Sequence, residues 1–94
     1  MSAHHAETEI TIRNPQGLHG RPATELVKAA AAFESRIELV RPSDGHRADC
    51  GSVLNLMMLA ATQGTVFRLV AEGPDAEEAV EKLARLVEED LASH

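Results

Sequence analysis

Hydrophobic and polar positions alternate from Glu7 to Arg13, with Ile10 and Ile12 on one side and Glu9, Thr11 and Arg13 on the other. A period of two predicts a half-buried strand. Asn14-Pro15-Gln16-Gly17 ends it. The period then changes. Ala23, Leu26, Val27, Ala30 and Phe33 recur at spacings of three and four, the apolar stripe of an amphipathic helix. Glu25 and Lys28 fall outside the stripe and can pair weakly. Pro22 suits a first helical turn, where its missing N–H costs nothing, so the helix begins within a residue or two of His19.

Arg36 to Arg41 predicts a second strand with Ile37 and Leu39 facing inward, Pro42-Ser43-Asp44-Gly45 a turn, and His46 to Asp49 a short third strand. Gly51-Ser52 precedes Val53-Leu54-Asn55-Leu56-Met57-Met58-Leu59, a short second helix that ends before Gly64. Thr65 to Glu72 predicts a fourth strand, with Phe67, Leu69 and Ala71 inside, closed by Gly73-Pro74. In the last helix Asp75 and Glu78 fit a capping box, and Ala79, Val80, Leu83, Leu86, Val87 and Leu91 form the buried stripe. Glu77, Glu78 and Glu81 sit near the end where the helix dipole favours negative charge, while Glu88, Glu89 and Asp90 sit at the opposite end, where fraying is expected. No helix separates the second and third strands, which implies an antiparallel hairpin. The order fits an α+β sandwich, with helices on one face of a four-stranded sheet that is open on the other.

Composition narrows the picture. The 94 residues make one domain. No apolar run is long enough to cross a bilayer. The opening MSAHHAETE lacks the basic start and apolar middle of a signal peptide, and one cysteine, Cys50, leaves no disulfide framework, so a cytoplasmic protein is expected. Of the net charge of −6, residues 72–94 account for all, with eight acids against two bases. That end repels polyanions. With no Trp or Tyr and two Phe, base stacking also lacks material, so no nucleic-acid partner is expected.

The chemistry concentrates in Gly17-Leu18-His19-Gly20-Arg21-Pro22-Ala23, where a histidine stands at the junction of turn and helix. First-turn N–H groups lack intrahelical partners, and the dipole favours an anion there. The same field disfavours imidazolium, so a neutral, nucleophilic His19 is expected. A phosphoryl group on its ring would meet the amides near Gly20 and Arg21 and the bidentate Arg21 guanidinium. A histidine before a helix is more often a weak cap or an exposed polar residue, and the residues alone leave both readings open.

With its second motif, Gly51-Ser52-Val53-Leu54-Asn55-Leu56-Met57, the chain resembles the histidine-containing phosphocarrier family HPr of the bacterial sugar phosphotransferase system, from about Thr8 to Leu91. The resemblance implies the βαββαβα open-faced sandwich. It implies that His19 takes a phosphoryl group on Nδ1 from enzyme I, at the expense of phosphoenolpyruvate, and passes it to IIA domains of sugar permeases. Arg21 matches the arginine that supports the phosphohistidine, and Pro22 the helix-starting proline. Gly20 departs from the family, which more often carries Ala or another side-chain-bearing residue there. Such a protein is an intermediate in a relay rather than a stand-alone catalyst. It needs no cofactor or metal and meets its partners transiently as a monomer.

Ser52 suits an N-cap, and the resemblance adds regulatory phosphorylation by a serine kinase; the two roles are compatible. Leu56 and Leu59 are assigned to the core. Val53, Leu54 and Met57 match the family's exposed docking patch, against the alternative that all are core. His4 and His5 are placed in a flexible terminus over residues 1–6, His46 and His94 receive no role, and Cys50 is read as an incidental thiol. A second functional reading is an HPr-like regulatory module for carbon or nitrogen signalling. A third, a domain cut from a multiphosphoryl fusion, sits poorly with the compact ends at Met1 and His94.

Overall fold

The computed structural model describes residues 4–92. Four strands and three helices follow in the order β1 (His5–Thr11), α1 (Arg21–Ala30), β2 (Arg36–Val40), β3 (Arg47–Asp49), α2 (Val53–Met58), β4 (Val66–Glu72) and α3 (Ala76–Arg85), with a π-helical turn at Leu86–Asp90. This is the α+β sandwich that the alternation predicted. The sheet is antiparallel throughout, in the order β1-β4-β2-β3, and β2 and β3 form the expected hairpin.

Register puts the apolar positions together. Ile10 pairs with Phe67, Leu39 with both Leu69 and Ala48, and Ile37 with Ala71, all buried. These side chains meet Leu26 and Ala23 of α1, Leu56 of α2, and Ala79 and Leu83 of α3 in one core. The opposite face carries Glu7, Glu9, Arg36, Arg47, Arg68 and Glu72. Two ion pairs cross it, Arg68–Glu7 and Arg47–Glu38, both at 3.1 Å. Exposed pairs of this kind add little stability and serve mainly to keep the face wet.

Several boundaries and contacts differ from the expectation, each for a local reason. β1 starts two residues early. Of the stretch 1–6 expected to be flexible, His5 and Ala6 pair with Glu72 and Ala71, Gly73 N–H donates to the carbonyl of His4 at 2.9 Å, and residues 1–3 lie outside the described residues. α1 stops at Ala30 because the chain tightens into i→i+3 bonds, Ala32 N–H to Ala29 and Phe33 N–H to Ala30. No ion pair joins Glu25 to Lys28 among the described residues.

The capping box at Asp75 does not form. Its carboxylate accepts instead from the N–H groups of Glu34 (2.9 Å) and Ser35 (3.0 Å) and from the Ser35 hydroxyl, tying the α1–β2 loop to the start of α3. Those bonds, the Ser35 hydroxyl foremost, hold the Asp75 carboxyl below its ordinary range. Glu78 turns to Lys82 at 3.1 Å. The last turn does not fray either. Leu86–Asp90 widens into a π turn closed by Leu91 N–H to Leu86 carbonyl at 2.8 Å, and Glu88 accepts the Thr11 N–H of β1 at 2.7 Å.

Candidate functional site

The loop from β1 to α1 is built around two fixed points. Ile12 exchanges backbone bonds with the segment before β4, donating to Thr65 (2.9 Å) and accepting from Gly64 (2.7 Å). Leu18, fully buried, donates its N–H to the Ala61 carbonyl at 3.2 Å. Between them Gly17 has φ of +72°, and a Cβ there would stand 2.1 Å from that same carbonyl oxygen. Only glycine lets the loop lie this close to its neighbour.

Anchored at Leu18, the chain emerges at His19 and turns at once into α1. Gly20 is the N-cap, at φ 56° and ψ −123°. The first ladder bond runs from Thr24 N–H to the Gly20 carbonyl at 3.1 Å, and the Thr24 hydroxyl donates to the same oxygen at 3.1 Å. The amides of Arg21 and Ala23 precede that bond and have no intrahelical acceptor. Pro22 has none to offer and is buried, as its place in the first turn requires. His19 and Arg21 are exposed, and among the described residues neither side chain is engaged in a hydrogen bond or ion pair. No acid stands in the first turn of α1, so the positive end of the helix is not neutralised locally. The arrangement offers a solvent-facing imidazole, two free amides, a guanidinium and the helix field at one place. That combination suits a tetrahedral dianion.

α2 packs against α1. Ser52 is its N-cap, with the hydroxyl accepting the Asn55 N–H at 3.1 Å. Leu56 and Leu59 are buried as expected, and Leu54 and Met57 are exposed at 66% and 40%. Val53, the third residue expected there, is less exposed than these two. It is half-buried and packs on the core. Met58, which the expectation left out, is exposed at 74%. Helical spacing holds the signal that separates them. At about 100° per residue, position 53 lies roughly 90° from the mid-line of the buried 56 and 59, whereas 54, 57 and 58 lie roughly 130° or more from it.

The remaining candidates sit elsewhere. His5 lies in β1 on the open face, 2.7 Å from Glu7 and 3.4 Å from Glu72, and the Glu7 hydrogen bond chiefly raises its pKa. His46 touches Asp44 at 3.0 Å in the β2–β3 turn, where the Arg41 guanidinium holds the Asp44 carboxyl far below the usual carboxylate range. His94 lies outside the described residues. Cys50 is fully buried, and burial pushes its thiol up to about 12, which leaves it inert at neutral pH. Among the described residues no group of three or more His, Cys, Asp or Glu is placed to hold a metal ion, and no helix is long and apolar enough to cross a membrane. A concavity of about 450 Å³ lies on the open face between Glu7, Arg36, Glu38 and Arg68, and none of the site residues lines it.

Comparison with known proteins bears on this geometry. Residues 6–89 match the family pattern described as the PTS HPr component phosphorylation site. The phosphocarrier protein HPr of Vibrio cholerae is 43% identical over 83 residues, covering 88% of this chain and 93% of that protein. The HPr-like protein Crh of Bacillus subtilis is 38% identical over 85 residues, covering 90% and 98%. A crystal structure of HPr-C-His from Thermoanaerobacter tengcongensis superposes with a TM-score of 0.87 at 37% identity, over 95% of this chain and 98% of that one. Sequence, element order and superposition thus agree over nearly the full length, and the chain belongs to the HPr family of phosphocarrier proteins of the phosphotransferase system.

Proposed function

We propose that this protein carries a phosphoryl group between enzyme I and the IIA domains of sugar permeases, in the cytoplasm, with His19 as the carrier residue. The observation that carries the reading is the exposed, unengaged His19 beside the free amides of Arg21 and Ala23 at the tip of α1. In the forward step a ring nitrogen of His19 attacks the phosphorus of phosphorylated enzyme I. The new N–P bond forms as the donor's N–P bond breaks, the donor imidazole keeps that electron pair, and the proton on the other nitrogen of the His19 ring leaves to solvent. The amides and the Arg21 guanidinium take the developing charge on the equatorial oxygens. The return step mirrors this at the IIA histidine. No acid stands in the first turn to oppose the phosphate, which is held by the dipole, the amides and the Arg21 guanidinium, firmly enough to travel and weakly enough to leave.

The apolar stripe of Leu54, Met57 and Met58 serves as the docking surface beside this tip. Flexible methionines suit a patch that meets several partners in turn. Ser52 remains the candidate for regulatory phosphorylation. Its hydroxyl is engaged as the N-cap, and Asp49, whose carbonyl accepts the Ser52 N–H at 3.1 Å, brings a carboxylate to the same turn that opposes added negative charge. The test is incubation with phosphoenolpyruvate and enzyme I. One acid-labile phosphoryl group per chain is expected, absent in His19→Ala; a wild-type protein that takes up none refutes the reading. That outcome would favour the second reading, a regulatory module, which kinship with Crh supports.

A further inference from the structure

We propose that Asn14 is a positioning residue for His19, and that it couples the carrier loop to the C-terminal π turn. The proposal rests on the phosphocarrier reading above. Asn14 is one of two buried polar side chains among the described residues, at 2% exposure. Its Oδ1 accepts the Gln16 N–H at 2.7 Å, its Nδ2 donates to the Leu91 carbonyl at 2.6 Å, and its own carbonyl accepts the Gly17 N–H at 2.9 Å. One carboxamide therefore fixes the turn that leads to His19 and fastens it to the end of the chain.

The far side of the latch is itself built. The wide turn at Leu86–Asp90 holds one residue more than an α-turn, and the buried Leu91 follows it. Glu88 pins this turn to β1 through the Thr11 N–H. Opposite, Gly17 and Leu18 bear on the Ala61 carbonyl. The segment from Asn14 to Leu18 is thus clamped between two walls, and the next residue is His19. The placement of His19 at the start of α1 is inherited from that clamp, because among the described residues no hydrogen bond or ion pair holds its ring. Misplacement of a reacting group by about 1 Å lowers a rate as much as a hundredfold. The Leu54, Met57 and Met58 surface belongs to another element and is untouched by the latch.

The test uses the full chain with Asn14→Ser, which keeps an acceptor for the Gln16 N–H, adds no charge and is too short to reach Leu91. Deletion of Glu89, an exposed residue of the π turn, is the second variant; it alters the far wall without touching the loop. Phosphate uptake through enzyme I is measured as kcat and KM for the carrier, alongside the ring 15N and 1H resonances of His19. Each variant is expected to lose about tenfold or more in kcat with KM within about twofold, and to shift the His19 ring signals. A folded Asn14→Ser that reacts at the wild-type kcat with unmoved signals overturns the proposal, as does a change confined to KM. If Asn14→Ser fails to fold, the Glu89 deletion decides by the same criteria. A wild-type chain that takes up no phosphate defeats the phosphocarrier reading instead, and the ring signals then still show whether Asn14 orients His19.

Discussion

Gly20 follows the candidate carrier histidine as the N-cap of α1, and its backbone makes its role testable. At φ 56° and ψ −123° it occupies a conformation that L residues avoid, while a Cβ added there would meet nothing within 4 Å. The cost of Gly20→Ala is therefore a backbone cost without steric overlap. Holding an L residue in such a region costs about 1–3 kcal/mol. Replacing glycine also restricts the unfolded chain, which offsets about 0.4–1 kcal/mol. The net expectation is a loss of about 1–2 kcal/mol, or roughly 5–15 °C in Tm for a domain of this size.

Urea and thermal melts of Gly20→Ala at pH 7 measure the loss. A D-alanine at position 20, introduced by chemical ligation, is the decisive control. The mirror image of the Gly20 conformation is ordinary extended backbone, so D-Ala fits without strain and keeps the unfolded-state gain. It should be more stable than wild type by about 0.4–1 kcal/mol. Gly17 marks the contrasting case, because there the Cβ of an L residue would also meet the Ala61 carbonyl oxygen at 2.1 Å. If L-Ala at position 20 is as stable as wild type, and D-Ala gains nothing over it, the positive φ is not what the glycine supplies and the reasoning fails.

Three further outcomes follow from single features. Ala60, just past α2, has φ of 53°, the position where glycine ordinarily ends a helix; Ala60→Gly should gain about 0.5–1 kcal/mol in urea melts. The Asp75 carboxyl titrates below its ordinary range in the folded state, so its contribution is complete above the unfolded value and is lost as pH falls through the lowered folded one. Asp75→Asn should therefore lower stability at pH 7 and show a shallower acid limb below about pH 4, and an unchanged acid limb would remove Asp75 from the account. Leu54→Ser and Met58→Ser should each weaken docking to enzyme I by about 1 kcal/mol or more, read as a raised KM, with Tm nearly unchanged because both side chains are exposed.

The strands and the starts of the helices were legible because burial imposes its period on the sequence. Ile10 and Ile12, Ile37 and Leu39, and Phe67, Leu69 and Ala71 all alternate for the one reason that the sheet has a wet face and a dry one. The features that escaped depend on partners distant in sequence. Asp75 carries the local signature of a capping box, but Glu34 and Ser35, some forty residues upstream, offer its carboxylate three donors where the helix offers fewer. The acids at Glu88 to Asp90 predict fraying from the dipole alone. One bond to Thr11, 77 residues away, and the burial of Val87 and Leu91 outweigh that local term.

The candidate site shows the same division of labour within a single loop. Its frame is over-determined: Asn14 is buried and bonded to Leu91, Gly17 has no room for a Cβ, and the buried Leu18 is bonded to Ala61. Its working end is under-determined, since His19 and Arg21 face solvent with no partner among the described residues. A carrier needs both. A ring tied into the protein by its own hydrogen bonds would have to break them to accept a phosphoryl group and again to surrender it, adding to both barriers. A ring on a loose loop would spend ordering entropy at each encounter. Placing the restraint one residue before the histidine, at the buried Leu18, and the flexible glycine one residue after it separates the two demands. The charge pattern extends the logic, because the acids that give the chain its net −6 are concentrated in residues 72–94 and none enters the first turn of α1, where the proposed phosphate would sit.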